Sequence, residues 1–131
     1  MPALEDYVQH ADWKTEKHVP VIDCPDTVQA SELFQVNVSL GKEIAHPNTT
    51  EHHIRWIALY FQPQGDKFTY EIGYFAFNAH GESTAGPNAG PVYTHHAVSA
   101  WMKTTKPGIL FSRAYCNIHG LWEDSKEINV R

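Results

Sequence analysis

The fold is decided by an apolar run that begins at two adjacent histidines, His52-His53-Ile54-Arg55-Trp56-Ile57-Ala58-Leu59-Tyr60-Phe61. Apolar side chains occupy both alternating sets of positions between residues 53 and 61, which is typical of a central strand covered on each face. A turn at residues 62–66 separates this run from a second extended segment at 68–77. The two segments are therefore predicted to form a hairpin.

The remaining strands are predicted by alternation and by turn residues. Between residues 33 and 40, Phe34, Val36, Val38 and Leu40 share one face, as in a half-buried antiparallel strand. Further candidates lie at residues 19–22, 92–103, 108–115 and 127–130. Because the chain has no long amphipathic helix, these seven segments predict an all-β sandwich, preceded by an irregular arm at residues 1–13.

Composition narrows the class of protein. A chain of 131 residues with 42% hydrophobic and 19% charged residues is long enough to form one folded domain, which we expect to span residues 1–131. The net charge of −5, without a basic block, argues against nucleic acid as the main partner. No apolar run has the length of a membrane span, and the first residues do not resemble a signal peptide, so we expect a cytoplasmic protein. In a reducing compartment Cys24 and Cys116 are expected to remain thiols.

A Cys-x-x-His motif stands near the end of the chain. Cys116 and His119 are three residues apart at the end of a predicted strand, so both side chains can reach one metal ion from a tight loop. Gly120 allows the chain to turn away directly afterwards. This motif alone indicates a metal site only weakly.

Other histidines extend the donor set. His46 and His52 lie six residues apart on the loop before the central strand, and His18 lies on a second loop after Glu16 and Lys17. One thiolate with several imidazoles suits iron, copper or zinc rather than magnesium or calcium. Five such donors exceed the four of a structural zinc site, and favour a five- or six-coordinate ion with an open position.

Three segments resemble the signature segments of the superoxide reductases, and specifically the one-iron neelaredoxin class of the desulfoferrodoxin superfamily. They read Glu-Lys-His-Val-Pro at 16–20, Gly-Lys-Glu-Ile-Ala-His-Pro-Asn-Thr-Thr-Glu-His-His at 41–53, and Cys-Asn-Ile-His-Gly-Leu-Trp at 116–122. They occur in the family's order, and the resemblance covers essentially the whole chain. The rubredoxin-like module of the two-iron relatives has no counterpart here, since Cys24 has no Cys-x-x-Cys companion.

The resemblance implies a fold, a cofactor and an activity. The fold would be an immunoglobulin-like, seven-stranded antiparallel β-sandwich, and the cofactor one non-haem iron that cycles between Fe2+ and Fe3+. The activity would be one-electron reduction of superoxide to hydrogen peroxide, with rubredoxin or a similar external donor restoring the reduced state. Members of this class are typically homotetramers.

The resemblance also implies roles for particular residues. Four imidazoles in one plane and one axial thiolate would bind the iron, namely His18, His46, His52, His119 and Cys116. His119 would bind through Nδ1 and the other three through Nε2. Glu16 would close the sixth position in the oxidised state, and Lys17 would be the cation beside the open reduced site.

The other histidines have plainer expected roles. His10, His80, His95 and His96 are expected to be surface or hydrogen-bonded polar residues. Adjacent residues of a strand point to opposite faces, so His53 should point away from His52 and support the structure. The residues alone leave His53 as an alternative ligand, and the family spacing favours His52.

Two other classes of protein remain as alternatives. A cupredoxin-like copper carrier also combines a β-sandwich with a Cys-x-x-His loop, but usually has a methionine shortly after that histidine. Here both methionines, Met1 and Met102, lie upstream of His119. The second alternative is an immunoglobulin-like binding module stabilised by zinc, without redox chemistry.

Overall fold

A computed structural model describes all 131 residues of the chain. It contains a short 3-10 helix, Leu4–Asp6, and eight strands. The strands are β1 (Val21–Asp23), β2 (Thr27–Val28), β3 (Phe34–Ser39), β4 (Ile54–Pro63), β5 (Tyr70–Ala76), β6 (Ala97–Met102), β7 (Gly108–Cys116) and β8 (Gly120–Val130). The chain has no helix that is long and apolar enough to cross a membrane.

The strands form two sheets. One sheet has the order β1-β3-β6, and the other has the order β2-β8-β7-β4-β5. The predicted all-β sandwich is thus confirmed, including the hairpin of β4 and β5 and the central position of β4. The strand that was not predicted is β2, which has two residues and pairs in parallel with the end of β8.

The core lies between the sheets and follows the predicted patterns. On β3 the side chains of Phe34, Val36 and Val38 are buried, and they alternate with more exposed residues. On β4 the side chains of Ile57 and Leu59 are completely buried. They belong to one cluster of 15 buried hydrophobic residues that also includes Cys116.

Strand β8 is much longer than predicted. Only residues 127–130 were expected to be extended, because residues 123–126 are polar and have a weak strand signal. In the structure β8 begins at Gly120 and pairs in register with the whole of β7, from Cys116↔Gly120 to Gly108↔Ile128. Backbone pairing with a buried neighbour therefore outweighs local propensity here.

Strand pairing sets the positions of the loops that carry the candidate ligands. The first residue of β4, Ile54, pairs with the last residue of β7, Cys116, and a register shift follows before Trp56. The loop before β4 and the loop after β7 consequently meet at one end of the five-stranded sheet. His52 and His119 are brought together although they lie 67 positions apart in the sequence.

Candidate metal centre

Four potential ligand atoms converge where these loops meet. They belong to His18, His52, Cys116 and His119, and all lie within 4.8 Å of one another. The Nδ1 atom of His119 lies 3.1 Å from Nε2 of His18, 3.3 Å from Nε2 of His52 and 3.8 Å from Sγ of Cys116. Cys116 and His18 are buried, whereas His119 is exposed, so the cluster opens toward solvent on one side.

The turn between β7 and β8 places Cys116 beside His119. Gly120, opposite Cys116 in the strand pair, has a φ of +82°, a conformation that favours glycine. The backbone N–H of His119 donates to Sγ of Cys116 over 3.4 Å. The indole N–H of Trp122 donates to the carbonyl oxygen of His119 over 3.2 Å, which fixes the turn from its other side.

The second loop, between β3 and β4, carries His46 and His52. Gly41 has a φ of +80°, and a Cβ atom there would lie 2.8 Å from the backbone nitrogen of His46, so only glycine fits. The imidazole of His46 donates through Nδ1 to the carbonyl oxygen of Pro47 at 2.7 Å. The backbone N–H of His52 donates to Oγ1 of Thr49 at 3.0 Å, which fixes the turn that ends the loop.

Asn117 joins these two loops directly. Its Oδ1 atom accepts a hydrogen bond from the backbone N–H of His53 at 2.9 Å, and its Nδ2 atom donates to the carbonyl oxygen of Glu51 at 2.9 Å. Its own backbone N–H donates to the carbonyl oxygen of His53 at 3.2 Å. One side chain from the Cys116 loop therefore holds the backbone on both sides of His52.

The four imidazoles predicted as ligands surround one point. Going round, neighbouring ring centroids are 4.9 Å apart from His18 to His46, 4.9 Å from His46 to His52, 5.0 Å from His52 to His119, and 4.6 Å from His119 to His18. The diagonal between His18 and His52 is 6.4 Å. The centroids thus form a closed ring with nearly equal sides, and His46 completes it although its ring is not in the tight group of four donors.

The hydrogen bonds of these rings leave nitrogen lone pairs that accept no hydrogen bond. His18 and His46 each donate through Nδ1, so their Nε2 atoms carry lone pairs. The Nε2 atom of His46 is the one buried side-chain nitrogen or oxygen without a hydrogen-bond partner. A single proton on Nδ1 of His119 can serve only one of its three acceptor neighbours. A cation would satisfy all of them, so the residues present fit a metal ion.

The surroundings of three rings, His18, His46 and His52, lower their pKa values and so favour the neutral form that metal binding requires. Burial lowers the pKa of His46 to about 4. Burial also lowers the pKa of His52, and the neighbouring charges of His119, His18 and Lys17 act in the same direction. Burial lowers the pKa of His18 as well, against the opposing hydrogen bond to Glu16.

Glu16 and Lys17 lie beside the cluster rather than in it. Oε1 of Glu16 accepts hydrogen bonds from Nδ1 of His18 at 2.6 Å and from the backbone N–H of His18 at 2.9 Å. Burial raises the pKa of Glu16, but these bonds to His18 outweigh it and bring the pKa below its ordinary value. Glu16 thus orients His18 from behind the ring. Glu16 was expected to be a sixth metal ligand, but in this structure its carboxylate bonds to His18 instead. Its role as a ligand stays a prediction.

Several other residues support the candidate ligands. Trp122 stacks on the ring of His18 with centroids 4.9 Å apart, and so contacts two candidate ligands. His80 and His96, expected to be ordinary polar residues, are both buried. His53 stays outside the donor group, as expected, and stacks on His80. A single histidine in a loop has no periodic pattern, so no sequence signal would have revealed this burial.

The fold and the donor set define a β-sandwich protein with a candidate metal centre of imidazoles and one thiol. Residues 10–125 match the family described as Desulfoferrodoxin. The chain is 63% identical over 126 residues to Neelaredoxin from Megalodesulfovibrio gigas, which covers 96% of this chain and 97% of the relative. The chain belongs to the desulfoferrodoxin family.

Solved structures agree with this assignment. A Thermotoga maritima protein of 53% identity superposes with a TM-score of 0.97 and covers 100% of this chain and 99% of its own. A superoxide reductase (neelaredoxin) from Archaeoglobus fulgidus in the reduced form is 51% identical, with a TM-score of 0.86 over 93% of this chain and 98% of its own. Both similarities extend over nearly the whole chain, and the family match at residues 10–125 includes every loop of the candidate site.

Proposed function

We propose that the protein is a superoxide reductase, which converts superoxide to hydrogen peroxide with one electron and two protons. The observation that carries the proposal is the ring of four neighbouring imidazoles with the buried Cys116 thiol beside it. The residues that would hold iron are His18, His46, His52, His119 and Cys116. Iron bound there would supply the electron that superoxide takes up.

The number of donors separates this proposal from a simple zinc staple, since structural zinc takes four, and the thiol adds an influence on redox chemistry. Cys116 is completely buried, at the end of β7, and receives the N–H of His119. A buried thiolate accepting a hydrogen bond tunes the electron density of a redox metal, which is the main influence a protein has on iron chemistry. Burial also keeps the sulfur away from solvent oxidants.

Lys17 gives the site its local positive charge. The protein carries a net charge of −5, so a superoxide anion meets a repulsive surface elsewhere. The charge of Lys17 contributes, after burial and the neighbouring histidines, to the lowered pKa values of both His18 and His52, which supports a position near the cluster. We propose that Lys17 attracts the anion and orders the water that delivers protons.

Glu16 holds His18 in the tautomer that a metal requires. Its carboxylate accepts the Nδ1 proton of His18, so the Nε2 atom faces the cluster with a free lone pair. For Glu16 to become a sixth ligand in the oxidised state, it would have to leave this hydrogen bond. We propose that exchange as the change that accompanies oxidation.

The proposal extends to the protein's surroundings. We propose rubredoxin or a similar one-electron donor as the reductant, a cytoplasmic location, and assembly into a homotetramer. Both cysteines are free thiols, which agrees with a reducing compartment. The single core cluster supports residues 1–131 acting as one domain.

The test is the reaction of the iron-loaded, reduced protein with superoxide in stopped flow. We expect superoxide to disappear and peroxide to form without release of oxygen; oxygen release in equal amount would instead indicate dismutation. Cys116→Ser should abolish the thiolate-to-iron colour of the oxidised protein, and Cys24→Ser is the matched control, since Cys24 lies outside the cluster. A blue oxidised form that survived Cys116→Ser would contradict the assignment of the thiolate. Metal analysis decides among the alternatives, because a copper carrier or a zinc module would not retain iron.

A further inference from the structure

The N-terminal arm is attached to β8 at Gln9. Its backbone N–H donates to the carbonyl oxygen of Leu121 at 2.9 Å, and its carbonyl oxygen accepts the N–H of Glu123 at 3.0 Å. These two bonds form an isolated parallel bridge between Gln9 and Trp122. The side chain of Val8, just before the bridge, is buried. The arm therefore holds the β8 backbone on both sides of Trp122.

The side chain of Trp122 links this attachment to the candidate metal centre. Its indole stacks on the ring of His18, with centroids 4.9 Å apart and an interplanar angle of 16°. Its Nε1–H donates to the carbonyl oxygen of His119 at 3.2 Å. The backbone of Trp122 thus meets Gln9, and its side chain meets His18. One residue of β8 contacts both ends of the segment at residues 10–17, which we call the arm loop.

The hydrogen bonds of the arm loop beyond its first residue are internal. Oδ1 of Asp12 accepts the backbone N–H of Lys14 at 3.0 Å, and the carbonyl oxygen of Asp12 accepts the N–H of Thr15 at 3.0 Å. The carboxylate of Glu16 bonds to His18, directly after the loop. These bonds determine the shape of the loop, but none of them joins residues 11–17 to a strand. The position of the loop therefore depends on how its two ends are held.

The two ends of the arm loop are held differently. Val19, one residue after His18, is 1% exposed and anchors that end in the core. At the other end, Nε2 of His10 lies 3.2 Å from Oε2 of Glu123, but this is an exposed contact and contributes little. Without the bridge at Gln9, residues 1–17 would be a tail held by side-chain contacts alone. The bridge is therefore the contact that makes this segment a closed loop.

The arm loop carries positive charge beside the candidate metal centre. Lys17 directly precedes His18. Burial and the neighbouring imidazoles lower the pKa of His52, and the charge of Lys17 acts in the same direction. The ammonium of Lys42 lies 5.4 Å from the ring of Trp13, so the arm loop also contacts a lysine of the β3–β4 loop. In a protein with a net charge of −5, the potential at the site depends on where these cations lie.

We propose that Gln9 is a positioning residue, which acts through Trp122 and the arm loop to hold Lys17 beside the candidate metal centre. The inference rests on the proposed function, because a cation held there attracts the superoxide anion. The attachment itself requires neither a metal nor the reaction. Both bonds of the bridge come from the backbone of Gln9, so its role should survive a change of side chain and be lost when the N–H is removed.

The bridge is tested first on the unmodified, metal-free protein by amide hydrogen exchange. We expect the N–H of Gln9 to exchange at least about tenfold more slowly than that of Glu5, an exposed residue of the same arm. Equal exchange rates would overturn the proposal, because the arm would then not be attached in solution. This measurement needs no substitution, so it stands even if a variant fails to fold.

The loop is tested with Gln9→Pro, which removes the N–H donor, and with Gln9→Ala as the matched control, which keeps both backbone bonds. Relaxation of ¹⁵N in the metal-free proteins measures the order parameters of the backbone amides. We expect values of about 0.85 for residues 11–17 in the wild type and Gln9→Ala, and values below about 0.6 in Gln9→Pro. The indole N–H of Trp122 should lose order in Gln9→Pro as well. Unchanged order parameters in Gln9→Pro would overturn the proposal.

The salt dependence of the reaction separates positioning from a loss of stability. In the iron-loaded proteins, Gln9→Pro should slow the reaction with superoxide about twofold at low ionic strength, the size expected for one unit charge that acts through water. Its dependence on ionic strength should weaken toward that of Lys17→Ala, whereas Gln9→Ala should react as the wild type does. A variant that is merely less stable would lose active molecules and keep the salt dependence.

The outcomes distinguish the positioning role from the proposed function. A loosened arm loop in Gln9→Pro with the salt dependence of the wild type would overturn the role of Gln9 in holding Lys17. A wild type that does not reduce superoxide would overturn the proposed function, and the order parameters would still decide whether Gln9 holds the loop.

Discussion

Asn117→Ala should separate the two loops that carry His52 and Cys116. The alanine keeps the backbone N–H that donates to His53, but it loses the two side-chain bonds, from the His53 N–H and to the Glu51 carbonyl oxygen. Both lost partners are backbone groups of the segment around His52. The substitution therefore removes only cross-loop contacts and leaves the strand pairing of β7 intact.

The magnitude follows from those two bonds. A typical hydrogen bond contributes about 1 kcal/mol net to the free energy of unfolding, so the loss should be about 2 kcal/mol. Such a loss corresponds to roughly a 30-fold change in the folding equilibrium constant. Because the loops also carry candidate ligands, Co²⁺ affinity should fall as well.

Urea unfolding of the metal-free protein measures the effect. We expect the midpoint to decrease with an unchanged slope, as for a variant that loses contacts without losing compactness. Asn78→Ala, at an exposed loop asparagine, is the matched control and should change the free energy by no more than about 0.5 kcal/mol. A loss for Asn117→Ala as small as that of the control would refute the idea that its side chain joins the loops.

Three further predictions concern the charged groups. Lys17→Ala should slow the reaction with superoxide and weaken its dependence on ionic strength. The control Lys67→Ala, in the distant β4–β5 turn, should change neither. If Lys17→Ala and the wild type have the same rate and the same salt dependence, Lys17 does not capture the anion. Glu16→Ala should permit turnover but change the spectrum of the oxidised protein, and an unchanged spectrum would limit Glu16 to hydrogen bonding. The pKa values of His46 and His96 are lowered from 6.5 to about 4, so the unfolded chain binds protons in this interval that the folded chain does not. The contribution of these two histidines to the free energy of unfolding of the metal-free protein should be complete above about pH 6.5 and decline toward pH 4. A urea midpoint that stays constant over this range would contradict this prediction.

Local sequence patterns were sufficient for most of the sandwich. The alternation at Phe34, Val36 and Val38 and the apolar run after His53 predict β3 and β4 closely, because burial on one or both faces must be encoded residue by residue. The Cys-x-x-His spacing likewise brings Cys116 and His119 together within one turn, since Gly120 supplies the required backbone conformation. Patterns of this kind involve only residues that are close together in the sequence, so they can be recognised without the tertiary structure.

The long-range features depend on tertiary structure. Strand β8 forms over polar residues because β7 pairs with it from Gly120 to Ile128, and β2 forms only because it meets the end of β8 in parallel. No local signal encodes either pairing. The loss of backbone hydrogen bonds to water is compensated only when the partner strand is present.

The same division applies to the candidate site. Residue types and their spacing indicated the donor residues and the family resemblance assigned their roles, so the sequence determined which side chains could bind a metal. Only the tertiary structure showed that Asn117 joins the loops, that Glu16 faces the back of His18, and that Gln9 attaches the arm to β8. These roles arise from hydrogen bonds between segments far apart in the chain, and the direction of such bonds is set by packing rather than by the spacing of residues.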